Sequence, residues 1–211
     1  MNKIILLLEK DFIFCSKNLR MLTMVFFSFA FSFYAFFKIE PIYKEYIIVL
    51  ASLWILSTAS LELLIYRDII KNRVSHILAF GFDIFDFMIS KIIFITLFSV
   101  MSSFLFVVFF RVLRIICRYN YPSLSSWSFP VLIPIVFFII SLSTFLTFKY
   151  QVSRPIRIVF ILILLLISEL REFLISISRQ GFVYISLLVF FTIADIIIIQ
   201  FLRSLKNDNF L

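Results

Sequence analysis

Long apolar runs alternate with short polar segments along most of this chain, and the pattern predicts membrane-spanning helices. A helix needs about 17–25 apolar residues to cross the hydrocarbon layer. Six runs predict spans at about 21–37, 47–65, 92–110, 129–148, 156–172 and 182–202. The fifth run meets charged residues early (Glu169, Arg171 and Glu172), so it either crosses fully or breaks into an interfacial segment. The pattern predicts an all-α integral membrane protein with six spans in a single domain over 1–211.

The first residues are too polar to span a membrane but follow a helical period. One face of residues 3–18 is apolar, with Ile4, Leu8, Phe12 and Cys15 at helical spacing. Another face carries three lysines spaced seven apart, namely Lys3, Lys10 and Lys17. The two faces predict an amphipathic helix on the inner leaflet, with its lysines toward anionic headgroups. Such a helix is either a plain membrane anchor or an elbow that leads into a transporter bundle.

A second amphipathic segment lies in the longest predicted cytoplasmic loop, between the second and third spans. Over 69–79, one helical face is apolar and consists of Ile70, Val74, Ile77 and Leu78. Such a face needs cover, either from the membrane surface or from a soluble partner. Asp83 or Asp86 is expected to cap the helix that follows, because a carboxylate accepts the free N–H groups of a first turn.

Composition agrees with a membrane protein and removes several functional classes. Hydrophobic residues make up 63% of the chain and charged residues 15%, whereas soluble domains are roughly 45–50% apolar and about 25% charged. The chain has two glycines and one histidine. It therefore contains neither the GxxxxGK[ST] nor the GxGxxG phosphate-binding motif, and it has no pair of histidines to bind a metal or haem. Its two cysteines form no CxxC motif. We predict no metal site and no catalytic residue.

The excess of basic residues orients the predicted spans. Lys and Arg number 20 against 12 Asp and Glu, a net charge of +8. With the N-terminus inside, thirteen of the 20 basic residues fall in cytoplasmic segments and seven fall outside. Cytoplasmic flanks of spans collect basic residues in this way. We therefore predict that both termini are cytoplasmic, and that the basic residues face the membrane and not a nucleic acid.

Several charged positions in or beside the spans are candidate functional residues. Asp195 lies near the middle of the sixth span, where a charge is costly unless it is protonated, paired or facing polar protein. We interpret it as a packing or protonated acid, with a role in a transport pathway as the alternative. Glu62 lies one turn inside the second span, within reach of Arg67.

Three arginines follow the third span at spacings i, i+3 and i+7, namely Arg111, Arg114 and Arg118. They share a face if the third helix continues outward. Guanidinium groups in that arrangement bind lipid phosphates or the carboxylates of an anionic substrate.

Six spans, an N-terminal elbow, a cytoplasmic helix between spans two and three and no nucleotide motif resemble an ABC-2 type exporter permease. The stretch from Trp54 to Asp68 resembles the membrane subunit of the cytochrome c maturation haem exporter, the CcmB family. That family has a Trp-containing second span, a Leu-Glu step, an Asp soon after and a Lys that opens span three. The matching residues here are Leu61, Glu62, Asp68, Ser75, Leu78 and Lys91.

The resemblance implies a membrane subunit in the bacterial inner membrane that couples ATP hydrolysis to haem delivery or to release of a haem chaperone. ATP would be bound by a CcmA-like ATPase, and haem would be the cargo. CcmC-like and CcmD-like subunits and a CcmE-like chaperone would be the other partners. Coupling to the ATPase would fall to Glu62, Arg67, Asp68, Ile70, Val74, Ile77 and Leu78.

Two other classes stay open from the sequence alone. One is another small ABC-2 type permease that exports a drug, peptide or glycan. The other is a membrane protein without transport activity, such as an assembly factor or a membrane-embedded enzyme. Against an enzyme, only Glu62 and Asp195 are carboxylates well inside predicted spans, and they suggest no acid–base pair.

Overall fold

The computed structural model describes residues 3–38, 44–66, 74, 79, 81–118, 128–150 and 181–203. Within these ranges the chain is helical and contains no strand. The helices are α1 (Lys3–Lys17), α2 (Leu19–Lys38), α3 (Lys44–Leu61), α4 (Ile84–Ile116), α5 (Ser128–Tyr150) and α6 (Gly181–Arg203). A π-helical turn, Glu62–Tyr66, continues α3.

Among the described residues, four segments are long and apolar enough to cross a membrane: Leu19–Lys38, Ile47–Ile65, Ile84–Ile116 and Ile185–Arg203. A shorter apolar stretch, Leu132–Phe148, lies in α5. Helices therefore occupy five of the six predicted segments, and the predicted fifth span at 156–172 lies outside the described residues. The outer surface of these helices is apolar, as expected of a membrane-embedded protein. Large side chains such as Phe26, Ile115 and Phe190 are exposed on it.

Asn18 separates α1 from α2 and starts the second helix. Its backbone carbonyl accepts a hydrogen bond from the N–H of Leu22 at 3.1 Å. Its side-chain Oδ1 accepts the N–H of Arg20 at 3.0 Å. Asparagine is favoured at helix starts because its side chain accepts a backbone N–H that the first turn leaves free.

Helices α2, α3 and α4 form a three-helix unit in which α3 is antiparallel to both neighbours. Along α3 and α4, Glu45 contacts Arg111 and Ser52 Oγ lies 2.7 Å from Ser103 Oγ. Along α2 and α4, the ring of Phe29 packs on Phe106, Phe109 and Phe110 at 5.5, 5.2 and 5.9 Å between centroids. Aromatic pairs at these separations contribute about 0.5–1.5 kcal/mol each beyond the area they bury.

Charged residues on α4 mark the two borders of its apolar part. Lys91 and Arg111 are twenty positions apart, which is about 30 Å at 1.5 Å per residue. That distance matches the roughly 30 Å hydrocarbon thickness of a bilayer. The helix nevertheless continues beyond both residues, from Ile84 to Ile116, and is longer than the predicted span at 92–110.

Helices α5 and α6 pack side by side and run in the same direction. Phe138 contacts Phe191 with 6.0 Å between ring centroids, and Phe145 contacts Phe201 at 6.3 Å. Residue numbers rise together along both helices, which only a parallel pair allows. The last residue of α5 and the first residue of α6 therefore lie at opposite ends of this pair. Helix α5 itself is antiparallel to α4, since Phe148 contacts Phe87 at 6.3 Å.

This parallel arrangement predicts a specific cross-linking pattern. In a chain with Cys15 and Cys117 replaced by serine, the pair Phe138→Cys and Phe191→Cys should be joined in membranes by a short cross-linker with two thiol-reactive groups. The exchanged pair, Phe138→Cys with Phe201→Cys, should stay unlinked because its members lie at different depths. Mobility shift on denaturing gels is the readout, and the reverse pattern would mean an antiparallel pair.

Candidate functional site

A buried ion pair joins α1 to α4. Lys91 Nζ donates a hydrogen bond to Asp11 Oδ1, and the two side chains are 1% and 2% exposed. The same ammonium group lies 5.1 Å from the ring centroid of Phe87. A buried cation is costly unless it is paired, so the carboxylate and the ring together make the position of Lys91 tolerable.

The ion pair sets which face of α1 points inward. The buried residues of this helix are Leu7, Asp11 and Cys15, whereas Phe12 is 66% exposed. The apolar face predicted to lie on the membrane is thus divided, with Cys15 buried in the bundle and Phe12 on the outer side of the helix. The helix is turned so that Asp11 reaches Lys91, and the apolar side chains Ile5 and Phe12 are left facing outward.

A second contact ties the start of α1 to the residues before α4. Lys3 Nζ donates a hydrogen bond to the carbonyl of Gly81 at 2.6 Å and lies 5.8 Å from the ring centroid of Phe82. Gly81 has a φ of 77°, a backbone conformation that residues with a Cβ atom rarely adopt. With Asp11 bound to Lys91, α1 follows the first turns of α4 over about 12 Å, or eight residues.

A second ion pair, between α2 and α3, lies at the same end of the bundle. Arg20 Nη2 lies 3.1 Å from Glu62 Oε1, and both side chains are partly exposed. Glu62 also opens the π-helical turn that continues α3. We call this end, with Arg20, Glu62 and Lys91, the Lys91 end. The predicted partner Arg67 lies outside the described residues.

The predicted coupling residues fall between α3 and α4, and two of them are described in full. Glu62 lies at the Lys91 end, bonded to Arg20. Val74 is helical, 5% exposed and part of the hydrophobic core, so the chain itself already covers this side chain. The rest lie outside the described residues: Arg67, Asp68, Ile70, Ile77 and Leu78. Their role in coupling stays a prediction.

The start of α4 is formed differently from the predicted cap. Asp83 occupies the position before the helix, with φ −79° and ψ 150°, and its carbonyl accepts the N–H of Phe87 at 3.1 Å. Its carboxylate makes no capping hydrogen bond. Asp86 lies in the first turn, where a negative charge is favoured by the helix dipole.

The opposite end of the bundle, which we call the Arg111 end, has a bidentate ion pair. Arg111 Nε and Nη2 lie 3.1 and 2.9 Å from the two oxygens of Glu45, whose side chain is 2% exposed. Helix α4 ends at Ile116, and Arg118 follows with a positive φ of 52°. The predicted common face of three arginines therefore extends only to Arg111 and Arg114. Arg111 contacts a carboxylate of its own chain.

Asp195 lies inside the bundle, away from both ends. It is 9% exposed, and its Oδ1 has no hydrogen-bond partner in the part of the chain that the structure describes. Thr192, one turn before it, donates its hydroxyl to the carbonyl of Leu188 at 2.7 Å. The sequence-based candidate residues are therefore not gathered at one place: Glu62, the arginines and Asp195 lie at three different depths.

The sequence reasoning missed the partners Asp11, Arg20 and Glu45. Each is a charged residue next to or inside an apolar stretch, which is the signal that marked Asp195. Their partners lie 42 to 80 positions away along the chain. Only the packing of the helices shows which charges meet.

The described ranges hold no group of three or more metal-ligating side chains. What the fold defines is a helical membrane protein stabilised at its two ends by ion pairs. Comparison of the chain with protein families, curated proteins and solved structures finds no match.

The ion pair between Asp11 and Lys91 should be essential for stability. Removing one partner of a buried pair leaves an uncompensated charge and costs about 3–5 kcal/mol. We expect Asp11→Asn and Lys91→Met each to lower the free energy of unfolding in detergent micelles by about that amount. The double variant should lose less than the sum.

Arg20→Gln provides the matched control, because its pair with Glu62 is partly exposed. Pairs of that kind contribute about 0–1 kcal/mol. Equal losses in Arg20→Gln and Lys91→Met would contradict the assigned difference between the two pairs.

Cys15 should be unreactive while α1 is docked. Burial, and then the neighbouring charge of Asp11, raise the pKa of the Cys15 thiol from 9.0 to about 11. Maleimide reacts with the thiolate, so at pH 7.5 exposed Cys117 should be labelled and Cys15 should not. Because the folded-state pKa is raised, the stabilising contribution of this thiol is complete below pH 9 and is lost as the pH rises towards 11.

Peptide mass spectrometry after timed labelling measures both rates in one sample. Unfolding the chain in denaturant should bring the Cys15 rate up to that of Cys117. Labelling of Cys15 in the folded protein at the Cys117 rate would show that α1 leaves α4 readily.

Proposed function

We propose that this chain is the membrane subunit of an ABC transporter complex similar to the haem exporter of cytochrome c maturation. It couples ATP hydrolysis by a partner ATPase to haem delivery or to release of a haem chaperone. The observation that carries the proposal is the bracing of the Lys91 end. Arg20 holds the end of α3 through Glu62, and α1 holds the start of α4 through Lys3 and Asp11.

This bracing supports the proposal for a mechanical reason. The stretch from 67 to 80, where the amphipathic segment was predicted, joins two helix ends that are each fixed to a neighbouring element. A docking segment mounted in that way passes the movement of an attached ATPase to α3 and α4 together. A membrane anchor alone would not require fixed helix ends.

We propose six spans with both termini in the cytoplasm of a bacterium and the protein in its inner membrane. The parallel packing of α5 and α6 supports this, because a further crossing between them returns the chain to the side from which both helices start. Arg20, Lys91 and Arg203 then lie at the cytoplasmic border, in line with the basic bias of such borders.

In this proposal the chain has no catalytic residue of its own. ATP is bound by a CcmA-like ATPase, and haem is the cargo. CcmC-like and CcmD-like membrane subunits and a CcmE-like chaperone complete the assembly. The docking face consists of Ile70, Ile77 and Leu78, with Arg67 and Asp68 beside it at the membrane border. Val74 instead anchors the segment in the core of the chain.

The proposal predicts that a tagged chain isolated from its native membrane retains an ATPase subunit. A triple variant with alanine at Ile70, Ile77 and Leu78 should lose that subunit while still inserting in the membrane. Burying each of these apolar side chains against the ATPase contributes about 1.5–3 kcal/mol to the binding free energy. ATPase activity and subunit staining of the purified complex are the measurements. Val74→Ala is excluded, since it would lower the stability of the chain itself.

Alanine at Asn72, Ser75 and His76 is the matched control on the polar side of the same segment, and should retain the ATPase. Wild-type retention by the apolar triple variant would remove docking from the proposal. Haem staining of c-type cytochromes separates the two transporter functions. An ATPase-bound chain whose deletion leaves those cytochromes intact would be another ABC-2 type permease, for a drug, peptide or glycan.

A further inference from the structure

Asp195 lies on a buried face of α6 in the part of that helix whose side chains the structure describes. In the described part of that helix, the buried residues are Asp195, Ile198 and Leu202, at spacings i, i+3 and i+7. Residues between them, such as Ile196 and Ile197, are about half exposed. The carboxylate therefore points away from the exposed side of the helix.

The two ring pairs between α5 and α6 fix the depth of Asp195. It lies four positions after Phe191, which contacts Phe138, and six positions before Phe201, which contacts Phe145. This register places Asp195 at the depth of about residue 141 on α5. Ser141 is fully buried, and its Oγ has no hydrogen-bond partner among the residues that the structure describes.

The next hydroxyl along α5 is already used. Thr144 donates to the carbonyl of Ile140 at 2.7 Å, within its own helix. Two polar atoms at one depth, Asp195 Oδ1 and Ser141 Oγ, thus lack partners in the described structure on facing helices. Buried polar groups are rarely left in this state, because each costs about 1–3 kcal/mol without a hydrogen bond.

Among the described residues of α4, α5 and α6, the cations lie away from the depth of Asp195. Helix α5 has no ionisable residue from Ser128 to Phe148. On α6 itself, Arg203 lies eight positions away, or about 12 Å along the axis. The charged residues of α4 lie towards its two ends: Asp86, Lys91, Arg111 and Arg114. Of these, Lys91 is bonded to Asp11 and Arg111 to Glu45.

We propose that Asp195 is a proton-binding site in the interior of the bundle, between α5 and α6. The carboxylate takes up one proton and becomes a neutral acid. Its O–H then donates a hydrogen bond to Ser141 Oγ, directly or through one water molecule. A neutral acid satisfies both orphan atoms and removes the cost of a charge in the membrane interior. This inference stands apart from the transporter proposal, because it involves no ATPase and no cargo.

Infrared difference spectroscopy of the full chain in lipid nanodiscs tests the proposal directly. The spectrum of the wild type minus that of Asp195→Asn at pH 7 should contain the carbonyl stretch of a protonated carboxylic acid. Ser141→Ala should shift the frequency of that band, since the hydrogen bond of the acid changes. Ser143→Ala should leave the band in place, because two positions turn that residue about 200° around the helix.

Each outcome decides the point. A difference spectrum with only carboxylate bands would show that Asp195 is ionised and would overturn the proton site. A carbonyl band that Ser141→Ala leaves unmoved would remove Ser141 as the partner. If Asp195→Asn fails to accumulate, Asp195→Glu keeps the acid, and the band must then persist at a shifted frequency for the proposal to stand.

Discussion

The ion pair between Asp11 and Lys91 is the interaction on which the arrangement of this bundle depends. A lysine that is 1% exposed at the border of a membrane helix needs a neighbouring anion, and in the described structure Asp11 of α1 supplies one. This requirement fixes the rotation of α1, places Lys3 against Gly81 and buries Cys15. The N-terminal helix is thereby a structural part of the bundle, and Asp11 determines its orientation more than its apolar residues do.

The same principle operates at the other border with a different geometry. Glu45 is buried and Arg111 partly exposed, and the two form a bidentate pair that connects α3 to α4. Between the two borders the helices are joined by aromatic rings and by a serine pair, which carry no charge. Charge is thus placed in pairs at the two borders, and the interior is left to packing, with Asp195 as the exception.

The positions of the helices could be predicted from the sequence because a bilayer demands long apolar runs, and runs such as 47–65 are visible by eye. The ends of α4 could not, since the helix extends past Lys91 and Arg111 once both charges are paired. The apolar pattern of α1 could not show which of its residues the bundle buries, because Asp11 is buried with Leu7 and Cys15 while Phe12 is exposed. Which charges meet across 80 positions depends on packing, which no local pattern contains.

Fixed borders also decide how this protein responds to membranes of different thickness. A single helix relieves hydrophobic mismatch by tilting, at a modest cost for each ångström. Helix α4 is held at both ends, to α1 and to α3, so it cannot tilt without moving its partners. A thinner bilayer must therefore deform around α2, α3 and α4 as a unit. Helix α6 contacts α5 through apolar rings and can change its tilt more easily. Hydrophobic mismatch would therefore alter the packing between α5 and α6.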